Sequence, residues 1–452
     1  MLVVAVRSDT EPHEPPGPPP VGCPLADYDP FSPAFVADPH PTLRALRRQP
    51  VAYHPPTGCW VVSRHRDVRT VLTDADTFAP DNALHAITPL SVPALRVLAE
   101  HGFSLPPTLA NNGTATHPGL RRLVAAHFTS ERVRAVTPLA RSLVRDGLRE
   151  AAADLAGTGT TDLAERVAAH PPARVLLSLL GMRDVDPRLL KTWSQASLEL
   201  FWGNPGPDRQ RDLAEEAGGF HRWLSRLVSG TAASPGEGGL LGDLVRHHLP
   251  DGRPLGVEAA VGVCYFLLIA GQETTSQLVN AALHRVLGNP ELWRRLATGE
   301  PGLAAHCVEE VLRLDTPVLT WRRVTTRPTV LSGVELPAGA AVLAQLLGAG
   351  SDPDLVAEPD RFRPGRPNAR RHLAFGLGRH VCLGAGLARV EAEVALDETA
   401  RAFPRLVRME GRPPMLGLLS FRAPARVLVG LPRGGRDGAG GRPPGTGDGS
   451  LY

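Results

Sequence analysis

Lysine is all but absent. Lys191 is the single one in the chain, and arginine supplies nearly all the positive charge. Net charge is only +3, without the basic surplus of a nucleic-acid binder, so no nucleic-acid partner is expected. Cysteine is scarce too: Cys23, Cys59, Cys264, Cys307 and Cys382, an odd number with no Cys-x-x-Cys spacing. That pattern argues against a disulfide framework and a structural zinc site, and it fits a reducing, cytoplasmic setting. Long apolar runs are missing as well. Met1–Val6 is too short for a membrane span and lacks a signal-peptide layout, and the apolar stretch 259–271 falls short of the roughly 20 residues a bilayer crossing needs. No membrane anchor is expected.

What is present centres on one stretch, His372 to Glu391. A glycine-broken loop runs into Cys382, and a helix-forming run starts directly after it. A cysteine at the mouth of a helix lies among free N–H donors and the positive end of the helix dipole, which favour thiolate over thiol. Phe375 can cover the sulfur with an apolar ring. Gly376 and Gly378 let something large and flat approach the backbone, Gly384 keeps the first helical turn slim, and Arg379 and His380 add positive charge. These surroundings suit a bulky anionic cofactor better than an open nucleophile. Gly384 and Gly386 lack the third glycine and the strand–helix–strand context of a dinucleotide loop.

Phe375, Gly378, His380, Cys382 and Gly384 follow the order Phe-x-x-Gly-x-His-x-Cys-x-Gly, which resembles the haem-binding loop of the cytochrome P-450 family. The resemblance implies that Cys382 is the axial thiolate of haem b, with Phe375, Gly376, His380 and Gly384 around the macrocycle. A thiolate ligand pushes electron density onto iron and favours O–O cleavage.

A second motif lies upstream. Residues 256–287 form the longest helical run, stopped by Gly288 and Pro290, and a helix apolar all round is a buried one. In its middle stand Ala270, Gly271, Glu273, Thr274 and Thr275. Gly271 and Thr274, three apart, put a missing side chain beside a hydroxyl, leaving room for a diatomic ligand. A carboxylate buried there needs a job or a partner. This resembles the family's oxygen-activating motif, which implies that Thr274 steadies dioxygen, the co-substrate, and that Glu273 relays protons to it.

Three further features match the family in order. His117 and Arg121 share one helical face, with Thr116 as the expected cap. The resemblance gives them one haem propionate and gives the other to Arg323, with Arg322 beside it. Pro118 and Gly119 replace the polar pair usual in the family. Glu310 and Arg313, with Arg366 from a later loop, imply a buried network that scaffolds the haem loop and takes no part in chemistry. Other Glu-x-x-Arg pairs exist, at 131, 291, 358 and 398, so context selects this one. Gly350–Pro353 stands where the family often has Asn-Arg-Asp-Pro.

Elsewhere, helices are expected near 41–48, 67–72, 92–100, 131–155, 162–180, 208–228 and 387–403. Strands are expected at 51–54, 59–62 and 318–323, with a hairpin over 330–343 broken at Pro337–Gly339. Residues 234–239 read as a flexible breaker. Ala270, Val318, Leu319 and Trp321 are the candidate substrate contacts, with the 81–111 region and Leu416–Ser420 alongside.

The expected fold is mainly α with a small β region: a single P-450 domain over 21–432, with haem between a long central helix and the helix that follows Cys382. Residues 1–20 and 433–452 read as disordered tails. The implied function is monooxygenation of a small, largely hydrophobic substrate, free or held on a carrier protein, by a bacterial-type monomer in secondary metabolism. Electrons would come from a separate ferredoxin and its reductase, docking where Arg122, Arg370, Arg371 and Arg379 form a basic patch. A coupling or rearranging enzyme, a peroxide-driven peroxygenase and a non-catalytic haem protein are the alternatives.

Overall fold

The computed structural model describes Leu25 and residues 28–182, 185–233 and 239–432. The tails expected at 1–20 and 433–452, and residues 234–238 of the breaker, lie outside these. Helices dominate, running in order as α1 (Pro33–Ala37), α2 (His40–Leu46), α3 (His65–Thr73), α4 (Val92–Glu100), α5 (His117–Ala125), α6 (Ser130–Thr158), α7 (Pro171–Leu180), α8 (Pro187–Trp202), α9 (Pro207–Ala233), α10 (Gly239–Val245), α11 (Val257–Leu287), α12 (Pro290–Ala297), α13 (Leu303–Leu314), α14 (Leu346–Gly350) and α15 (Ala385–Ala402). The strands are short: β1 (Val51–His54), β2 (Cys59–Val62), β3 (Phe78–Ala79), β4 (Thr160–Asp162), β5 (Thr320–Thr325), β6 (Thr329–Leu331), β7 (Val334–Leu336), β8 (Ala341–Gln345), β9 (Val407–Arg408), β10 (Met415–Gly417), β11 (Arg422–Pro424) and β12 (Leu428–Gly430).

The long helix α11 is the axle. Its N-terminal half (Val261, Leu268, Ile269) packs into a core shared with α8 and α9, and its C-terminal half (Val279, Leu283, Val286) into a second core with α6, α13 and α15. Each aliphatic side chain fully buried this way contributes about 1.5–3 kcal/mol. Over its full length α11 is long and apolar enough to cross a bilayer; in this fold α7, α8, α9 and α15 enclose it.

The main sheet has the order β1-β2-β8-β5-β3. β1 and β2 pair antiparallel across Pro55–Thr57, closed by Gly58 at φ 63°. β8 lies parallel to β2 and antiparallel to β5. The hairpin expected over 330–343 turns earlier than read. β6 and β7 turn at Ser332 and Gly333, both at positive φ, and Pro337–Gly339 leads out to β8 in the main sheet. The helix expected over 162–180 is broken: Asp162 ends β4, residues 164–168 wind as a π-helix, and α7 begins at Pro171. Two successive prolines cannot continue the earlier hydrogen-bond ladder. Helix α8 was not expected from sequence, although Asp186 caps it through Arg188 N at 2.9 Å and Pro187 opens it.

Candidate functional site

The cysteine loop takes its shape from two glycines in the left-handed region, Gly376 at φ 69° and Gly378 at φ 74°. A Cβ on Gly378 would sit 3.0 Å from the Leu72 carbonyl oxygen and 3.2 Å from Thr73 Cα. Gly384 has an ordinary φ, and a Cβ there would meet Cys382 Sγ at 3.9 Å. The Cys382 N–H donates to Phe375 O at 2.8 Å, closing the loop on the aromatic residue. The Arg389 guanidinium stacks on the Phe375 ring, 4.6 Å from its centroid, and Glu309 holds Arg389 at 2.6 Å. Cys382 faces an internal cavity. Burial raises its thiol, opposed by the Gly384 and Ala385 backbone and by Arg121 and Arg389. The helix mouth and the two arginines thus work toward thiolate, against burial.

Helix α11 lines the opposite wall through Ala270, Gly271 and Thr274. The Thr274 hydroxyl donates to Ala270 O at 2.5 Å and that of Thr275 to Gly271 O at 3.0 Å. Gly271 also has a packing reason, because a Cβ there would approach the Leu176 methyls at 2.8 and 3.1 Å. The room beside Thr274 is therefore partly taken by α7. Glu273 is 3% exposed and points from the next face of α11 to Lys191 on α8, whose Nζ lies 2.7 Å away. Burial raises the Glu273 pKa and Lys191 opposes the rise.

Cations gather at the cavity's edge. Arg121 and Arg323 both line it. Arg121 donates to Val381 O at 2.7 Å and Arg323 to Arg322 O at 2.8 Å, while Arg323 Nε has no partner. Burial brings Arg323 down to about 10. Arg322 turns the other way and donates to the Ala83 and His85 carbonyls, so of the two arginines Arg323 is the one that lines the cavity. The His117 ring packs against that of His380, centroids 4.2 Å apart and planes tilted by 37°. His380 Nδ1 bonds Leu109 O at 3.1 Å, and His380 Nε2 and both His117 ring nitrogens are buried without partners. Burial, then Arg121 and Arg379, push His117 down to about 4; burial, then His117 and Arg323, push His380 to about 3. Thr116 does not cap α5. Its hydroxyl accepts from Asn112 Nδ2 at 2.9 Å instead.

A cysteine and a threonine-bearing core helix thus face each other across one cavity, with two arginines bonded only to backbone carbonyls at its rim. The chain is 34% identical over 388 residues to cytochrome P450 monooxygenase PikC of Streptomyces venezuelae, covering 85% of this chain and 88% of that one. The chain belongs to the cytochrome P450 family. Residues 303–423 match the family model for cytochrome P450. Erythromycin C-12 hydroxylase of Saccharopolyspora erythraea is 32% identical over 366 residues, 80% of this chain and 87% of that one. Among solved structures, cytochrome P450 CREJ in complex with (4-ethylphenyl) dihydrogen phosphate superposes with a TM-score of 0.84 at 29% identity, covering 90% of this chain and 100% of that one. The chain is a P450 monooxygenase, whose family uses haem with a cysteine thiolate ligand and O₂ as co-substrate.

The P450 cavity fits that group. Buried Arg323 and half-buried Arg121 have no carboxylate partner among the described residues, which is costly unless an anion joins them, and haem brings two propionates. The structure gathers Ala270, Gly271, Thr274, Val318, Trp321, Arg121, Arg323, Phe375, Gly376, His380, Cys382 and Gly384 around one cavity. It places His117 behind His380 and Glu273 on the α8 side. Leu319, expected to touch substrate, does not line this cavity. Alternation along the strand turns it from Val318 and Trp321 into a core with Leu343, Leu347 and Leu419, at 2% exposure. Leu416–Ser420 also miss the cavity, which Phe421 reaches instead. From 81–111, Leu109 is the contributor together with neighbouring Ala110.

Glu310, Arg313 and Arg366 form the expected buried network. Arg313 binds Glu310 through two bonds of 2.8 and 2.9 Å, and Arg366 Nε adds a third at 2.8 Å. Arg313 also donates to the Gly350 and Pro359 carbonyls, tying down the loop before the cysteine. The rival pairs at 291 and 358 are exposed. In Gly350–Pro353, Asp352 accepts from His65 N at 2.7 Å and so pins α3. Sequence reasoning missed Lys191, Leu198, Trp202 and Phe266. Phe266 was within reach, one turn before Ala270; the other three sit on the unexpected α8.

Proposed function

We propose that this P450 inserts one atom of O₂ into a neutral, largely apolar small molecule, by hydroxylation or epoxidation, as a tailoring step in bacterial natural-product synthesis. The observation that carries the reading is the cavity itself: Thr274 on one wall, Cys382 on the other, and between them Leu176, Leu198, Trp202, Phe266, Trp321 and Phe421. The titratable side chains lining it are Arg121, Arg323, His380 and Cys382, all on the haem side. An ammonium or carboxylate on the substrate would find no counter-charge on the distal walls, whereas apolar carbon would. The relatives named as an erythromycin C-12 hydroxylase and a vitamin D(3) 25-hydroxylase support oxygen insertion into such skeletons.

Haem, when bound, supplies the oxygen-splitting chemistry. Cys382 would hold the iron; Arg121, Arg323 and His380, which line the cavity, would take the propionates, with His117 packed behind His380. Phe375, backed by Arg389, shields the sulfur. Thr274 would present its hydroxyl to the cavity, and Glu273 would move protons to it. Electrons come from a separate ferredoxin and its reductase. Exposed Arg122, Arg370, Arg371 and Arg379 support a carboxylate-rich donor on the cysteine face, although Glu309 and Asp76 already pair with Arg370 and Arg379.

The test is to screen neutral apolar compounds by the optical shift of the bound haem. Those that shift it are then turned over with a ferredoxin, its reductase and NADPH. Products should gain one oxygen; loss of two hydrogens instead would mark a coupling enzyme. Thr274→Ala should release severalfold more hydrogen peroxide per NADPH, and unchanged coupling would remove Thr274 from its role.

A further inference from the structure

The face of α11 that follows Glu273 away from the cavity is polar inside an apolar core. Ser276, Gln277 and Asn280 stand at i+3, i+4 and i+7 from Glu273, spacings that line up along one side of a helix. His284 extends the row by one more turn. Ser276 and Gln277 are 3% and 4% exposed. The Ser276 hydroxyl, both amide atoms of Gln277 and Asn280 Oδ1 have no hydrogen-bond partner among the described residues. The Asn280 amide is otherwise fixed, its Nδ2 donating to Pro424 O on β11 at 3.1 Å.

Each buried polar group left unsatisfied has given up its hydrogen bonds to water for nothing in return. Four such atoms on adjacent turns of the central helix are a large fraction of a domain's net stability. Bound water offers both donors and acceptors and is the usual partner for such groups. The row also has defined ends. At one, Lys191 fixes the Glu273 carboxylate. At the other, Asn280 and His284 are only half-buried, and Arg408 donates to His284 Nε2 at 3.1 Å.

We propose that a file of bound waters runs along this face of α11, held by Ser276, Gln277 and Asn280, and joins the Glu273 carboxyl to bulk solvent beside His284 and Arg408. It is the route by which Glu273 regains each proton it hands toward the cavity. Every hop passes one proton on and accepts one from behind, so no charge accumulates inside the helix bundle. Ser276, Gln277 and Asn280 are positioning residues that touch water, not substrate. The inference rests on Glu273 as the proton relay.

The test uses the full chain with haem bound. A crystal structure at about 1.5 Å should show ordered waters within hydrogen-bond reach of the Gln277 amide and Asn280 Oδ1; a dry row overturns the proposal. Gln277→Leu and Asn280→Leu should each lower the thermal midpoint by several degrees, because they strand waters bound to their neighbours. In a dry row, leucine would remove an unpaired polar group, and the midpoint would hold or rise. Oxygen consumption driven by NADPH and a surrogate ferredoxin pair, without added substrate, should show a solvent deuterium isotope effect that Gln277→Leu changes at least twofold. If Glu273→Gln alters that effect and Gln277→Leu does not, the relay stands and the file falls as a proton route. If neither alters it, the relay reading itself has failed.

Discussion

A carboxyl in the middle of an apolar helix must be protonated or paired, and Glu273 is drawn both ways. Burial raises its pKa, and Lys191 pulls it back. The chain has only one lysine, and it lies 2.7 Å from this carboxylate. Removing one partner of a buried ion pair costs about 3–5 kcal/mol, mostly from the charge left behind. Lys191→Met should therefore lower the thermal midpoint at pH 7. Because Glu273 can then protonate, the loss should shrink toward pH 5. An equal loss at both values would mean that the pair carries no stabilising charge interaction. The acid itself was legible in the sequence, as were Cys382 and Thr274, because each sits in a short motif whose chemistry is local. Lys191 was not, since nothing near residue 273 announces a partner on another helix. Arg323 and Arg322 were likewise indistinguishable until strand pairing fixed which one faces the cavity.

Elements with strong local signals matched expectation. α4 coincides with the expected 92–100, and α11 runs between Gly256 and Gly288 as its punctuation implied. β8 did not, because a strand inserted between β2 and β5 is defined by partners far away in sequence. The π-helix at 164–168 has no local signature either. Two glycines on either side of Cys382 give opposite forecasts. Gly378 sits at φ 74° against the backbone of α3, so Gly378→Ala should destabilise by more than about 1 kcal/mol and reduce haem content. Gly386, inside α15, has nothing within 4 Å of an added Cβ. Gly386→Ala should stabilise by up to about 1 kcal/mol through helix propensity and leave the haem spectrum intact. Denaturant midpoints and haem-to-protein ratios for the two variants check both signs; a gain for Gly378→Ala would mean that the loop does not need its left-handed turn.

For the molecule as a whole, the architecture was legible because one long buried helix and one cysteine loop define what must lie between them. The outer elements that shape the cavity were less so, since α8 and Phe421 reach it only through tertiary packing. Stability against pH is also a property of the whole, and two buried carboxyls set opposite slopes. On Glu309 burial works upward, but the bonds to His372 and Arg389 win and bring it down to about 2 from 4.5. Its contribution is present above 4.5 and is lost as pH falls through about 2. Glu391, on α15 one turn past the cavity-lining Leu387 and Ala388, has no hydrogen-bond partner for either oxygen among the described residues. Burial raises it from 4.5 to about 8. The protonated form is the one the fold accepts, so its contribution is complete below 4.5 and is lost as pH rises through about 8. One pKa unit corresponds to about 1.4 kcal/mol, making this several kcal/mol at most. Glu391→Gln replaces the carboxyl with a neutral group of the same shape. Relative to wild type it should change stability little at pH 5, gain progressively through pH 6.5, and level off above pH 8. Denaturant unfolding of both proteins at pH 5, 6.5 and 8.5 reads this directly: a difference that stays constant across the three would mean that Glu391 is charged in the folded protein and has found a partner, or water, that neutral glutamine cannot distinguish.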